Sequence, residues 1–232
     1  MAPSASTGSS FPSEPSSGPV RPRDSARATY DRLSRWYDLL AGSEQKFVRL
    51  GVERLAAQPG ESVLEIGPGT GHALLALARA VGPTGQVVGA DLSPGMLRRA
   101  ASRLSPTGMD RQVRLLCADA AQLPLPPSSF DAAFLSFTLE LFTPCDIPLV
   151  LAECRRVLRA SGRLCVVSLA DEGGSRLMLR LYNWAHARFP AWVDCRPIAL
   201  DRVLIEGGFR VRESSWGTIW GLPVRIALGD RV

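Results

Sequence analysis

Three glycines spaced two apart, Gly67, Gly69 and Gly71, follow the short apolar run Val63-Leu64-Glu65-Ile66, which carries an acid near its end. This spacing lets a backbone turn sharply and bring its N–H groups against a ligand with no Cβ in the way. Strong helix formers from His72 to Ala80 make the turn the mouth of a helix. A small molecule at the end of a buried strand is the chemistry this suits; the plainer alternative is a turn that binds nothing. Further acids favour the ligand. Asp91 closes the run Val87-Val88-Gly89-Ala90 and stands 20 residues after Gly71, where a carboxylate can accept hydrogen bonds from two ribose hydroxyls. Its competing role, capping the next helix, is already filled by Ser93, with Pro94 at the first helical position. Asp119 follows a third apolar run, Val113 to Ala118, where an acid serves either a ligand or a turn.

The spacing also says which ligand does not fit. A dinucleotide fingerprint, G-x-G-x-x-G, would need glycine at position 72, which is His72, and no lysine follows as a phosphate-cradling P-loop requires. Strand, acid and G-x-G-x-G together resemble the class I S-adenosylmethionine-dependent methyltransferases, a resemblance running from about Thr29 to the end of the chain. It implies S-adenosylmethionine as cofactor, held by Glu65 near the methionine end, by Gly67, Gly69 and Gly71, by Asp91 on the ribose, by Leu92 packed on the adenine, and by Asp119 and the Ala120 N–H on the adenine edge. Phe130 to Phe137 resembles the family's fourth strand, and Leu158 to Leu164 its turn into strand five. Tyr30 to Asp38, with its Tyr-Asp steps, is similar to the entry helix of the ubiquinone and menaquinone biosynthesis methyltransferases, as is Phe209 after Glu206-Gly207-Gly208 to their closing segment. One departure counts against quinone chemistry. Where those enzymes show Phe-Gly-Leu-Arg-Asn after strand four, this chain has Phe137-Thr138-Leu139-Glu140-Leu141. The expected acceptor is a small apolar or aromatic molecule, quinone-precursor-like or lipid-like.

Positioning these residues takes one domain. At 232 residues, with 46% hydrophobic and 21% charged, the chain suits a single buried core. Residues 1–28 are Ser-, Pro-, Ala- and Gly-rich with little to bury, so a disordered tail is expected there and the methyltransferase domain over 29–232. Leu33, Trp36, Tyr37 and Leu40, then Phe47, Leu50, Val52 and Leu55, recur at helical spacing and predict two N-terminal helices broken at Gly42-Ser43. Strands are predicted at 62–66, 86–91, 112–117, 130–136 and 163–169, and helices at 71–81, 94–104 and 146–159, followed by helix 199–207 and strands near 209–216 and 218–228. That alternation gives an α/β fold: a doubly wound, mostly parallel, seven-stranded sheet of Rossmann-like methyltransferase type, with N-terminal helices and a helical insertion after strand five. In such a sheet ligands sit beyond the carboxyl ends of the strands, so Glu65, Asp91, Asp119 and Ser136 should converge.

Composition excludes other chemistries. With only His72 and His186, and Cys117, Cys145, Cys154, Cys165 and Cys195 unclustered, no zinc site is recognisable, and the cysteines are expected to be reduced core residues. Lys46 is the only lysine, and it lies in a charged helical segment unsuited to Schiff-base work. The net charge of +5 is carried by scattered arginines without a basic run, so a solvated basic surface is expected rather than a nucleic-acid partner. No apolar run is long enough to span a bilayer and no secretory signal is seen, so the expected location is cytoplasmic.

Methyl transfer from a sulfonium needs mainly alignment, which supplies on the order of 7–11 kcal/mol without a special group. If the acceptor must lose a proton, Glu140, His186 and Tyr37 are the candidates. The segment Ser175 to Trp192 collects Leu177, Met178, Leu181, Tyr182, Trp184, Ala185 and Phe189 on one helical face, with Arg176, Arg180 and Asn183 on the other. It serves as sheet cover, as a lid presenting Trp184 to the acceptor, or as an interfacial helix in peripheral contact with a membrane. Two other functions compete: a nicotinamide-dependent oxidoreductase, disfavoured by the glycine spacing, and a protein that binds S-adenosylmethionine without turnover.

Overall fold

The computed structural model describes residues 44–173 and 195–232. The tail, the first of the two N-terminal helices with Tyr37, and the segment with Trp184 and His186 lie outside the described residues. Seven strands form one sheet: β1 (Ser62–Ile66), β2 (Gln86–Asp91), β3 (Val113–Cys117), β4 (Phe130–Ser136), β5 (Leu158–Leu169), β6 (Phe209–Ile219) and β7 (Leu222–Arg231). Their order is β3-β2-β1-β4-β5-β7-β6. β1 to β5 run parallel, and β7 is antiparallel to both β5 and β6. Strand order reverses between β1 and β4, which opens a crevice at their carboxyl ends.

Helices cover both faces because the central strands are apolar on both sides. Along β4, Ala132 and Phe134 enter one core with Val63, Leu74, Leu77 and Val167, while Ala133 and Leu135 enter the other with Leu64, Ile66, Val150 and Leu204. Helix α1 (44–55), α2 (His72–Val81) and α3 (Pro94–Leu104) lie on the first face, and α4 (Ile147–Val157) and α5 (Leu200–Glu206) on the second. α2 buries Ala73, Leu74, Leu77, Ala78 and Val81, a stripe at helical period. Each of its fully buried leucines contributes roughly 1.5–3 kcal/mol. α1 docks closely because Gly51 has no side chain: a Cβ there would lie 2.5 Å from Val167 Cγ2 and 2.9 Å from Phe134 Cε2. Glu44 is two turns above Gly51 on the same helical face, and the docking turns it toward the sheet.

Three expectations need correction. The last strands do not part at 216–218: β6 runs on to Ile219, and the chain turns through Trp220 and Gly221, both at positive φ (50° and 80°). A two-residue turn with both φ positive matches the twist of a hairpin, and cross-strand pairing from Ile219↔Leu222 downward outweighs the cost of placing Trp220 there. The cysteines are not all core residues. Cys154 and Cys165 are buried, whereas Cys117 and Cys145, at a strand end and in a loop, are exposed. β5 also begins five residues before the predicted start, because Leu158 pairs with Phe130 ahead of a register shift at Phe130/Ala132. Among the described residues no helix is long and apolar enough to cross a membrane.

Candidate functional site

The glycine loop leaves β1 at the crevice, and each glycine answers a different constraint. A Cβ on Gly67 (φ +68°) would lie 2.4 Å from Thr138 Cγ2, in the segment after β4. On Gly71 (φ +83°), the left-handed N-cap of α2, it would lie 3.1 Å from the backbone of Ala100 in α3. Gly69 (φ +52°) has nothing within 4 Å of that position, so its bare backbone borders open space. The loop is clamped at both ends and uncovered in the middle, as a cradle for a ligand would be.

Acids stand around it. Glu65, in register with Gly89 of β2 and Phe134 of β4, is 2% exposed, and its Oε2 has no hydrogen-bond partner among the described residues. Burial, then the charge of Asp91, pushes its carboxyl up to about 8, so it is protonated at neutral pH. Asp91 ends β2 and its Oδ1 accepts the Ser93 N–H at 2.8 Å, while Ser93 Oγ accepts the Met96 N–H at 3.2 Å and caps α3. Leu92 beside it is 40% exposed, unusual for a leucine in this core-rich sheet. After β3, Asp119 Oδ1 accepts the Ala121 N–H at 2.9 Å and shapes the loop, and Ala120 is buried. Ala118 N–H donates to Asp91 O at 3.1 Å, tying the two loops together.

Across the crevice β4 ends at Ser136, whose Oγ is buried without a partner among the described residues. Phe137 takes a positive φ of 50°, and Thr138 turns back against Gly67. The short turn Leu139–Leu141 then buries Glu140 to 1% exposure. Glu140 Oε1 accepts the Leu169 N–H at 3.1 Å, and its Oε2 is unpartnered. Burial chiefly, with Glu44 adding repulsion, pushes Glu140 up to about 7, and burial does the same to Glu44.

The structure thus brings Glu65, Gly67, Gly69, Gly71, Asp91, Leu92, Asp119 and Ala120 to the carboxyl edge of β1 to β3, and Glu140 to the same edge across the switch point. Tyr37, Trp184 and His186 lie outside the described residues. The sequence reading missed Glu44 and Thr138. Glu44 repeats with Gly51 and Leu55 on one face of α1, a spacing that carried the signal. Thr138 had none, since its role is to fill the space Gly67 leaves. No group of three or more His, Cys, Asp or Glu among the described residues could hold a metal ion.

Comparison with known proteins fits this geometry. Residues 63–162 match the family model for a methyltransferase domain. Over 160 residues the chain is 34% identical to the ubiquinone/menaquinone biosynthesis C-methyltransferase UbiE of Ectopseudomonas mendocina, an alignment covering 68% of this chain and 60% of that protein. The chain therefore spans less than two thirds of that relative. Its fold is similar to that of a [4+2]-cyclase, SpnF (TM-score 0.73, 20% identity, 92% of this chain and 97% of that one). It is also similar to a SAM-dependent methyltransferase from Aquifex aeolicus (TM-score 0.65, 20% identity, 87% and 98%). Residues 63–162 thus carry a methyltransferase domain, and the chain is similar to S-adenosylmethionine-dependent methyltransferases, whose cofactor is S-adenosylmethionine. Among these it lies close to the UbiE type.

Proposed function

We propose that the protein transfers the methyl group of S-adenosylmethionine to a small apolar or aromatic acceptor. One observation carries this reading. Of the four buried side-chain oxygens without a partner among the described residues, Glu65 Oε2, Ser136 Oγ and Glu140 Oε2 stand at or just past the carboxyl ends of β1 and β4, and Gln112 Oε1 lies elsewhere. Leaving such groups unsatisfied is costly, and a polar ligand in the crevice would satisfy them.

The residues suit the cofactor part by part. Glu65 takes the amino group of the methionine moiety and the uncovered backbone at Gly69 its carboxylate, with Gly67 and Gly71 holding the loop. Asp91 accepts from the ribose hydroxyls, Leu92 gives the adenine an apolar face, and Asp119 with the Ala120 N–H reads the adenine edge. When bound, the cofactor supplies a methyl group already activated on a sulfonium. The protein's part is to exclude water and align the acceptor, which is worth roughly 7–11 kcal/mol. Acceptor contacts are assigned to Glu140 on the described side, and to Tyr37, Trp184 and His186. The apolar character follows from the likeness to UbiE-type proteins and from the buried leucines and phenylalanines around Glu140.

A second reading, cofactor binding without methyl transfer, draws support from the cyclase's use of a similar fold. Calorimetry with S-adenosylmethionine, S-adenosylhomocysteine and NAD, followed by mass spectrometry of cell extract incubated with methyl-labelled cofactor, tests both. Binding of the first two with a labelled product supports methyl transfer. Binding without any labelled product favours the second reading, and binding of NAD alone overturns both.

A further inference from the structure

Glu140 is a buried acid with no structural task that accounts for it. Its Oε1 bonds the Leu169 N–H, but Oε2 has no partner, and among the described residues no arginine or lysine forms an ion pair with Glu140 or Glu44. This is a chain with 27 basic residues and a net charge of +5, so a cation could readily have been placed beside them. The groups around Glu140 come from α1, β5 and the segment at Arg196. Glu44 on α1 acts on it through its charge, and Ser168 of β5, whose hydroxyl donates to the Leu169 carbonyl at 2.9 Å, lies beside it. The Arg196 N–H donates to the Glu140 carbonyl at 3.0 Å, with the arginine itself exposed. Two carboxyls with no cation among the described residues, next to a crevice assigned to a cationic cofactor, form a site to which a ligand would bring the counter-charge.

The strand order says which part of that cofactor would supply it. On the reading proposed above, on which this inference rests, the adenosine lies over β3 and β2 and the methionine amino group over β1. The methyl-bearing end is then turned toward β4 and β5, and Glu140 bonds across the ends of those two strands. Adjacent strands are about 4.8 Å apart, so the carboxylate stands within one or two strand spacings, close enough for a charge to be felt in a water-poor crevice.

We infer that Glu140, backed by Glu44, reads the positive charge of the sulfonium and makes the site prefer S-adenosylmethionine over S-adenosylhomocysteine. The two ligands share adenosine, amino group and carboxylate, and differ only in the methyl group and the charge on sulfur. Contributions of Glu65, Asp91 and Asp119 therefore cancel in the ratio of the two affinities, and the ratio isolates what Glu140 does. Both Glu140 and Glu44 titrate near pH 7 in the ligand-free protein, so the pair becomes more anionic between pH 6 and 8. A nearby cation gains from that ionisation and a neutral thioether does not.

The test is calorimetric titration of each ligand into the full chain at pH 6 and pH 8, for the wild type, Glu140→Gln and Glu44→Gln, with melting temperatures alongside. The expected wild-type preference for S-adenosylmethionine rises by roughly tenfold across that range, and in Glu140→Gln it falls by roughly tenfold at pH 8 and loses its pH dependence. At either pH, S-adenosylhomocysteine affinity should stay within about twofold across the three proteins, since no charge on sulfur is involved. Glu44→Gln should show the same change at smaller size, and it decides the matter if Glu140→Gln fails to fold. An unchanged ratio in a folded variant, or equal weakening of both ligands, overturns the inference. If neither ligand binds the wild type, the methyltransferase reading itself falls and this inference with it.

Discussion

The two edges of the parallel sheet treat the same residue types in opposite ways. At the amino edge, Asp131 Oδ2 accepts the Ser62 N–H at 2.9 Å and the same carboxylate pairs with Arg159. Glu61 accepts from Arg163 at 2.7 and 2.9 Å, and Arg163 also holds the carbonyls of Leu55 and Ala56 at 2.7 and 2.9 Å. Partial burial pulls these acids upward, but their arginines outweigh it and hold both below the usual carboxylate range. At the carboxyl edge, Glu65 and Glu140 are buried deeper and have no arginine partner among the described residues, and their carboxyls are pushed up. An ion-paired acid fastens strands and loops to one another. A buried acid left without its counter-charge costs stability until a ligand supplies it, which is how a binding site stores a preference.

That contrast can be broken most forcefully at the amino edge. Arg163→Ala should cost roughly 3 kcal/mol, because it leaves Glu61 and two carbonyls without their donor. S-adenosylmethionine affinity should be unchanged in the fraction that stays folded, as denaturant melts and calorimetry on one preparation can show. A stable variant that has lost the ligand would mean that the edges do not divide their labour. Asp91→Ala is the reciprocal change. It should weaken S-adenosylmethionine binding by roughly 1.5–3 kcal/mol while leaving the fold, since Ser93 caps α3 without it. Undiminished affinity in a folded variant would remove Asp91 from the site.

Gly69→Ala sharpens the comparison within the loop. Its Cβ meets no protein atom, so the stability cost is only that of the positive φ, roughly 1 kcal/mol, while ligand affinity should fall by roughly tenfold because the methyl enters the cradle. Equal losses in both would mean the space there is not a ligand's.

The smallest effect concerns pH. Glu65, Glu140 and Glu44 have folded values raised above the ordinary 4.5, so between about 4.5 and 7–8 the folded state binds more protons than the unfolded one. Stability of the ligand-free protein should therefore fall as pH rises through that window, lowering the melting temperature, and Glu65→Gln should flatten the slope. The amino-edge acids act in the opposite sense: their contribution is present above the ordinary carboxylate range and is lost as pH falls through their lowered values. A melting temperature that climbs from pH 5 to 8 would contradict the raised values.

Much of this was legible in the sequence, and the reasons differ by element. β1, β2 and β4 are short apolar runs closed by Asp91, Ser136 or the glycine loop, and the structure reproduces all three spans. Ser93-Pro94 marked the start of α3 because its cap and its proline act locally. The β6–β7 turn was misplaced because Trp220-Gly221 lacks the usual Asn-Gly or Asp-Gly signature, and only cross-strand register fixes it. Among the site residues, the glycines and Asp91 announced themselves by fixed spacing. Glu140 was visible only as an acid past a strand, since its burial depends on Leu169 from another strand. Its partner Glu44 reads as a solvated helix charge until Gly51 docks α1 on the sheet.

The central claim is that the buried carboxyls at the carboxyl edge await a cationic ligand, and its most direct test is the proton balance of cofactor binding. S-adenosylmethionine is titrated into the wild-type protein at pH 7 in two buffers of different ionisation enthalpy. Glu65, protonated in the ligand-free protein, should ionise beside the ligand's ammonium group, so binding should release about one proton. Binding with no net proton release, or no binding at all, would contradict the account.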